Sequence, residues 1–396
     1  MLPSNPDKPK INPRQMVREG RAGELYALMC ATGYIPDEGN FSDFCQSLLS
    51  GFALLACGNP GSGKTVFSDA LFEACNLDYY TVTGRDELKQ EELLCSWDRR
   101  EQDSFMREAR PLVDTLPETE RARALESARQ QRWTRRFLIL GEVAAAYSKA
   151  EACGFPTLLR LDEVDKFGAA IEDALLSPLA TGKIYVERLS EGFVGCINED
   201  VLPIVISTSN DSRHELSQPF RDRHLHTYFA TPGLMKELQI LRARCPKIKA
   251  ANLSNALKLL DAIRSVAGLS HYPSVRTGIQ LARAFERDSV SEITERNVSI
   301  YFTYFAKNRR DAEYLKKQLP YLLSCVGAFH PVVDGALAER DAEWAGHWAK
   351  KREVIDACRN EQFIKQSKDS VRFEQTANLS PNDFSLAGGD VMRAIF

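Results

Sequence analysis

Over the first 230 residues, short apolar runs alternate with longer amphipathic stretches, and beyond Pro232 the short runs stop. The runs Phe52–Cys57, Tyr79–Thr83, Thr157–Glu163 and Pro203–Asn210 have strand length and strand composition. Between and around them, apolar spacing predicts helices over Arg14–Ala31, Ser42–Ser50, Thr65–Cys75, Asp86–Trp97, Phe137–Gly154 and Ile171–Leu179, with a short one ending at Ser217–Arg223. Strands alternating with helices from Gly51 to Phe229 predict a parallel α/β sheet. Lys183–Leu189 and Gly192–Ile197 each alternate about a turn at Ser190–Gly192, which predicts a β-hairpin. After Thr231-Pro232-Gly233 the pattern is helical throughout: Leu234–Cys245, Leu253–Val266, Arg276–Glu286, Ile293–Phe305, then charged helices Arg310–Leu323 and Ala336–Arg359, the last carrying Trp344 and Trp348.

Composition narrows the class without naming it. The chain has 396 residues, 44% hydrophobic and 27% charged, with a net charge of −3. That is ordinary for a globular protein of two or three domains, and not the balance of a polyanion binder. Ten cysteines without C-x-x-C or zinc spacing read as reduced thiols of a cytoplasmic protein. No apolar run approaches the length of a membrane span, and the first residues lack the apolar core of a secretory signal. One segment departs from the rest. Asp98–Arg136 is dense in both charge signs and is interrupted by Pro111 and Pro117. It reads as a solvated helical insertion, or as a surface for a partner or nucleic acid. The polar tail closes on the apolar tip Val391–Phe396, either a docking element or a frayed end.

Candidate chemistry sits where the strands end. Gly58-Asn59-Pro60-Gly61-Ser62-Gly63-Lys64-Thr65 follows the first strand and opens the Thr65–Cys75 helix, in which Val66 comes next. Its glycines let backbone N–H groups turn inward toward phosphate oxygens. The helix N-terminus adds partial positive charge, Lys64 supplies a point cation, and Thr65 supplies a hydroxyl for Mg²⁺. The third strand ends in Asp162-Glu163, the place for a Mg²⁺-holding carboxylate and a water-activating one; the alternative is an acidic helix cap. Arg160 stands where a buried parallel strand should be apolar, and either faces an edge or pairs with a carboxylate. Asn210 ends the fourth strand on the side where open sheets bind ligands, or simply begins a turn with Asp211.

With the glycine-rich loop, Asp162-Glu163, Asn210, Arg221/Arg223 and a four-helix region in this order, Ser42–Lys307 resembles AAA+ ATPases, most of all the MoxR-like group. Leu161-Asp162-Glu163-Val164-Asp165-Lys166 is similar to that group's D-E-I-[DN] segment. Val205–Asn210 followed by Phe220-Arg221-Asp222-Arg223 resembles its T-S-N and R-x-R-[FC] stretches, and Pro273-Ser274-Val275-Arg276 its S-P-R, with Val275 in place of the usual proline. The resemblance implies a P-loop NTPase sheet, then an all-α lid and a helical C-terminal region. It implies ATP and Mg²⁺ as cofactors, a sensor 1 role for Asn210, a sensor 2 role for Arg276, and an arginine finger at Arg223 or, second, Arg221. It also implies a homo-oligomeric ring, usually a hexamer, with the segment after Gly84 and the hairpin Lys183–Ile197 facing its pore. The long Asp98–Arg136 segment and everything after Arg310 have no counterpart in it.

The expected organisation is an arm and helix over 1–41, an AAA+ α/β domain over 42–231, a helical lid over 232–309, and a helical extension with polar tail over 310–396. The expected function is Mg-ATP hydrolysis in a ring, coupled to remodelling or activating a separate protein, with a von Willebrand A domain protein the first candidate. The alternative is a DNA-dependent motor or a defence/restriction ATPase subunit, for which Lys89, Lys183 and Arg188 are available cations. Intact Lys64, Asp162, Glu163 and Asn210 count against a nucleotide-switched scaffold, and Glu163 with Arg276 against a small-molecule kinase.

Overall fold

In this computed structural model, residues 1–210, 215–288, 290, 293–328, 330–334 and 336–337 are described. The expected Ala336–Arg359 helix beyond Leu337, the apolar tip Val391–Phe396 and Asp211 lie outside them. The chain divides into two compact units. The first comprises residues 1–20, 42–57 and 75–227; the second comprises 21–41, 58–74 and the described residues from 228 onward.

The first unit is built on a five-stranded sheet. The strands in chain order are β1 (Ala53–Cys57), β2 (Tyr79–Thr83), β3 (Cys95–Trp97), β4 (Leu138–Leu140), β5 (Leu158–Asp162), β6 (Lys183–Tyr185), β7 (Phe193–Gly195), β8 (Ile204–Ser209) and β9 (His224–Tyr228). The sheet runs β2-β5-β8-β1-β9. Its register is parallel, with Tyr80 beside Leu159, Leu159 beside Val205, and Leu54 beside Ile206. β8 is buried along its whole length, as a central parallel strand must be when both faces are covered. Leu55, Val82, Leu159 and Leu161 meet Val143, Tyr147, Phe167 and Leu175 in one apolar core.

Several local expectations changed on meeting the fold. Arg14–Ala31 is two helices, Pro13–Arg18 and Ala22–Ala31, because Gly20 takes a positive φ of 75° and ends the first. Asp86–Trp97 is helical only over Gln90–Leu93. Its end is β3, paired antiparallel with β4, which the sequence pattern had placed inside a helix. That helix starts later, at Glu142, and ends at Cys153 before left-handed Gly154. The charged insertion folds as Arg99–Asp114 and Glu118–Gln131, and Pro111 rides inside the first helix without breaking it. Trp97 and Trp133 meet edge to face at 5.0 Å beneath it. The β6–β7 hairpin forms as expected, Lys183 opposite Gly195.

The arm, residues 1–12, forms no helix or strand, but it is docked. Leu2 bridges Tyr79 antiparallel at the start of the open edge of β2, pairing the backbone N–H and C=O of Tyr79. Asp78 anchors it, accepting from Ser4 N at 2.9 Å, Ser4 Oγ at 3.0 Å and Lys10 Nζ at 2.8 Å.

The second unit gathers the helices Leu234–Arg244, Ala250–Ser265, Val275–Arg287, Glu295–Phe305, Arg309–Lys317 and Leu319–Gly327. Ile263, Leu281, Phe285 and Phe302 form one core cluster, and Leu241, Leu253, Leu257 and Val333 another. Glu237 is fully buried and bonds both Arg264 guanidinium nitrogens, at 2.5 and 2.9 Å, so its charge is matched where water is absent. No helix among the described residues is long and apolar enough to cross a membrane.

The arm's anchor makes a pH prediction. Burial pushes the Asp78 carboxyl up, but the Lys10 and Ser4 hydrogen bonds outweigh it and hold it below the usual carboxylate range. A depressed folded pKa gives stability that is complete above the unfolded value of about 3.9 and is lost as pH falls through the folded one. The arm therefore stays docked at pH 5 and releases only in stronger acid. Asp78→Ala should release it at neutral pH, at a cost of about 1–3 kcal/mol, read as faster hydrogen exchange of the Tyr79 amide, which donates to Leu2 O.

Candidate active site

Parallel register brings the C-terminal ends of four strands to one edge. Thr83 lies beside Asp162, Leu161 beside Ser207, and Cys57 beside Ser209. This is the edge at which open α/β sheets take ligands. The chain leaves β1 there into Gly58–Thr65.

In the first unit, Asp162 and Glu163 share one hydroxyl. Thr208 Oγ1, on β8, donates to Asp162 Oδ1 at 2.6 Å and accepts from the Glu163 backbone N–H at 2.9 Å. Glu163 is left-handed, at φ 55° and ψ 52°, which ends the strand abruptly and turns the chain into the Val164–Lys166 turn. Gly84 packs on that turn. A Cβ on Gly84 would lie 2.2 Å from the Glu163 carbonyl oxygen, so only glycine fits. The Glu163 carboxylate is ion-paired with Lys166. Asp165, fully buried, accepts from the Asn210 backbone N–H at 3.2 Å, which fixes the end of β8 to the same turn. Arg160 is not on an edge. Its guanidinium lies 5.2 Å from the Tyr79 ring centroid, with Nε 3.9 Å from Asp162 Oδ2, so of the two readings the carboxylate pairing holds.

In the second unit, the loop Gly58–Gly63 turns on glycines at φ 141°, 83° and 102°. Lys64 is 6% exposed, and its ammonium donates to the carbonyls of Gly58 at 2.6 Å and Asn59 at 3.0 Å. The helix Lys64–Cys75 starts there. A Cβ on Gly61 would come within 2.8 Å of Ser274 Cβ, so the loop needs glycine where the N-terminus of Val275–Arg287 packs on it. Arg276, exposed in the first turn of that helix, thereby belongs to the same neighbourhood as Gly61.

Back in the first unit, Arg221 and Arg223 share a tight turn but have different surroundings. Arg223 donates to Leu176 O at 3.0 Å and to Pro219 O at 2.6 Å. Arg221 pairs with Glu215 at 3.0 Å on the surface.

Residues 53–224 match the family model of the AAA domain, dynein-related subfamily. This part of the chain is similar to the AAA domain of that subfamily. The matched range holds the glycine-rich loop, Asp162-Glu163, Asn210 and both arginines. No curated protein matches the sequence. Among solved structures, the RuvB Holliday junction branch migration motor of Thermotoga maritima is similar at 13% identity, over 76% of this chain and 84% of that one, with a TM-score of 0.38. A proline-to-glycine mutant of that protein is also 13% identical, over 82% and 88%, with a TM-score of 0.37. Values that low carry nothing about function.

Taken one unit at a time, the Thr65 hydroxyl in the second and the Asp162 carboxylate in the first are each hard oxygen donors of the kind Mg²⁺ takes. Sequence reasoning gave no role to Thr208, Asp165 or Lys166. The available signal was three successive hydroxyl residues, Ser207–Ser209, in a wholly buried strand, since each buried hydroxyl needs a partner.

Thr208→Val deletes the donor to Asp162 and strands the Glu163 N–H. It should cost about 1–3 kcal/mol of stability and reduce ATP turnover more than nucleotide affinity, whereas Thr208→Ser should retain both. Thermal melts and steady-state hydrolysis check this.

Proposed function

We propose that the chain is a MoxR-like ATPase that hydrolyses Mg-ATP in a homo-oligomeric ring, usually of six copies, to remodel or activate a separate protein. The observation supporting hydrolysis is the Thr208-held pair at the end of β5, a carboxylate fixed at one oxygen beside a second carboxylate on a rigid left-handed turn. In this reading the N–H groups and Lys64 of the Gly58–Thr65 loop, with Val66 following, hold the phosphates. Thr65 and Asp162 would hold Mg²⁺, which when bound would neutralise phosphate charge. Glu163 orients and deprotonates the attacking water, exchanging its Lys166 partner for that proton's donor. Asn210, tied by its backbone to Asp165, positions the same water. Arg276 reaches the γ-phosphate from the lid, and an arginine of the Phe220–Arg223 turn stabilises charge on a neighbouring copy's nucleotide. A von Willebrand A domain protein is the first candidate partner, and the compartment is the cytoplasm.

A nucleic-acid-dependent motor is the second reading. It draws on one observation, Trp133 flanked by the Arg132 and Arg188 guanidinium groups at 4.6 and 4.9 Å where the insertion meets the β6–β7 hairpin.

Lys64→Ala should abolish nucleotide binding. Glu163→Gln should bind ATP like the wild type and lose about 10²- to 10⁴-fold in turnover. A Glu163→Gln variant that hydrolyses ATP normally would remove Glu163 from the reaction. Material trapped on Glu163→Gln with ATP separates the two readings, by whether a protein or nucleic acid accompanies it.

A further inference from the structure

The first unit holds a cavity that the proposed reaction does not use. It lies at the sheet edge opposite Asp162 and Glu163, where Ala53 opens β1 and Ile204 opens β8. Arg14, Ser47, Tyr147 and Gly182 are among its other walls. Its free space for water-sized atoms is about 60 Å³. At about 10–15 Å³ of such space per water, that is room for roughly four to six waters or for one small polar molecule.

Arg14 brings a full charge to this place while only 4% exposed. Its Nε donates to Leu48 O at 3.3 Å, and Nη1 serves the carbonyls of Leu202 at 3.0 Å, Asp200 at 3.3 Å and Glu199 at 3.5 Å. These carbonyls solvate the cation without neutralising it. The Asp200 carboxylate, whose charge acts on Arg14, is 72% exposed and is itself bonded to Arg18 at 2.6 Å. Among the described residues, no carboxylate pairs with Arg14, and its Nη2 has no acceptor. Burial, and then the Arg18 charge, pull its pKa below the usual value, which is the mark of a cation short of a counter-ion. Tyr147, on the helix Glu142–Cys153, supplies a second group. It is 3% exposed, and its hydroxyl bonds to none of the described residues. Burial pushes its pKa up, with Cys196 adding and Arg14 opposing, so it is a neutral donor inside the Arg14 field. Ser47 is already committed, since its Oγ donates to Phe44 O at 2.8 Å. Buried donors ordinarily have partners, and here two lack one at the same cavity.

We propose that this cavity is a binding site for a small oxyanion, a carboxylate or a phosphate group, held by Arg14 Nη2 and the Tyr147 hydroxyl. Nη2 offers two N–H groups and Tyr147 one O–H, a set that repels a cation and matches the oxygens of one small anion. The ligand supplies the counter-charge that the chain does not. It also ties the helix Pro13–Arg18 to the helix Glu142–Cys153 at the start of β8, so binding stabilises the first unit. The site does not depend on the ATP reading, because it uses neither the glycine-rich loop nor the carboxylates at the end of β5.

The test uses the full chain carrying Lys64→Ala, so that phosphate taken up by the Gly58–Thr65 loop is not read. Sodium acetate and inorganic phosphate are titrated calorimetrically against sodium chloride at equal ionic strength, and melting temperatures are followed in the same solutions. The comparison chain adds Tyr147→Phe. Replacing Arg14 would also release four carbonyls and could unfold the chain, whereas the Tyr147 hydroxyl holds nothing in it. The ligand-free melting temperature should therefore not fall with Tyr147→Phe. Acetate, phosphate or both should bind saturably and raise the melting temperature, and Tyr147→Phe should weaken that binding by about 10- to 100-fold. Binding of acetate alone identifies a carboxylate site, and binding of phosphate alone a phosphate site. No saturable binding of either probe, or binding that Tyr147→Phe leaves unchanged, would overturn the proposal and leave the cavity to water.

Discussion

One buried hydroxyl ties the chemistry to the fold. Thr208 Oγ1 donates a hydrogen bond to Asp162 and accepts one from the Glu163 backbone N–H, across the β5–β8 pair. That double use works only in the observed register, which seats Leu161 beside Ser207 and so brings Thr208 level with the end of β5. A slip of one residue would turn Thr208 to the other face of the sheet. The left-handed Glu163, the glycine it needs at position 84 and the Asn210–Asp165 bond all depend on this alignment. Hydrophobic burial of β8 therefore does more than stabilise. It sets the register from which the carboxylates take their positions.

The charged groups at these strand ends are each held by something specific. Lys166 holds Glu163, Arg160 stands beside Asp162 with its plane against Tyr79, and the loop carbonyls of Gly58 and Asn59 hold Lys64. Such restraint keeps the side chains oriented at modest cost, since every partner but the backbone carbonyls is itself charged or aromatic. In the Ser217–His224 turn the same logic is asymmetric. Arg223 and His224 are spent on backbone carbonyls and on Ser207, and Arg221 is not.

Much of this was legible in the chain. The glycine-rich loop, the apolar strands and the hairpin carry local signals: glycine where φ is positive, apolar runs of strand length, alternation about a Ser-Glu-Gly turn. Errors fell where the partner is remote. Cys95–Trp97 looks helical until Leu138–Leu140 pairs with it, some forty residues later. The docking of the arm depends on Asp78 and on Tyr79 at the edge of β2, some seventy residues away. The break in Arg14–Ala31 is local, at Gly20, whose positive φ ends the first helix inside an otherwise helical apolar pattern. The role of Thr208 is a geometric fact about which strands are neighbours, and spacing along one strand does not contain it. The two arginines of the turn look equivalent in sequence and differ only in what surrounds them.

Under the proposed function, hydrolysis takes place at sites completed by a second copy. The most direct measurement is ATP turnover per chain across a dilution series, with molecular mass followed by light scattering on the same samples. Turnover per chain should fall in step with dissociation of the assembly while nucleotide affinity persists. Monomers that hydrolyse ATP at the full rate would contradict it.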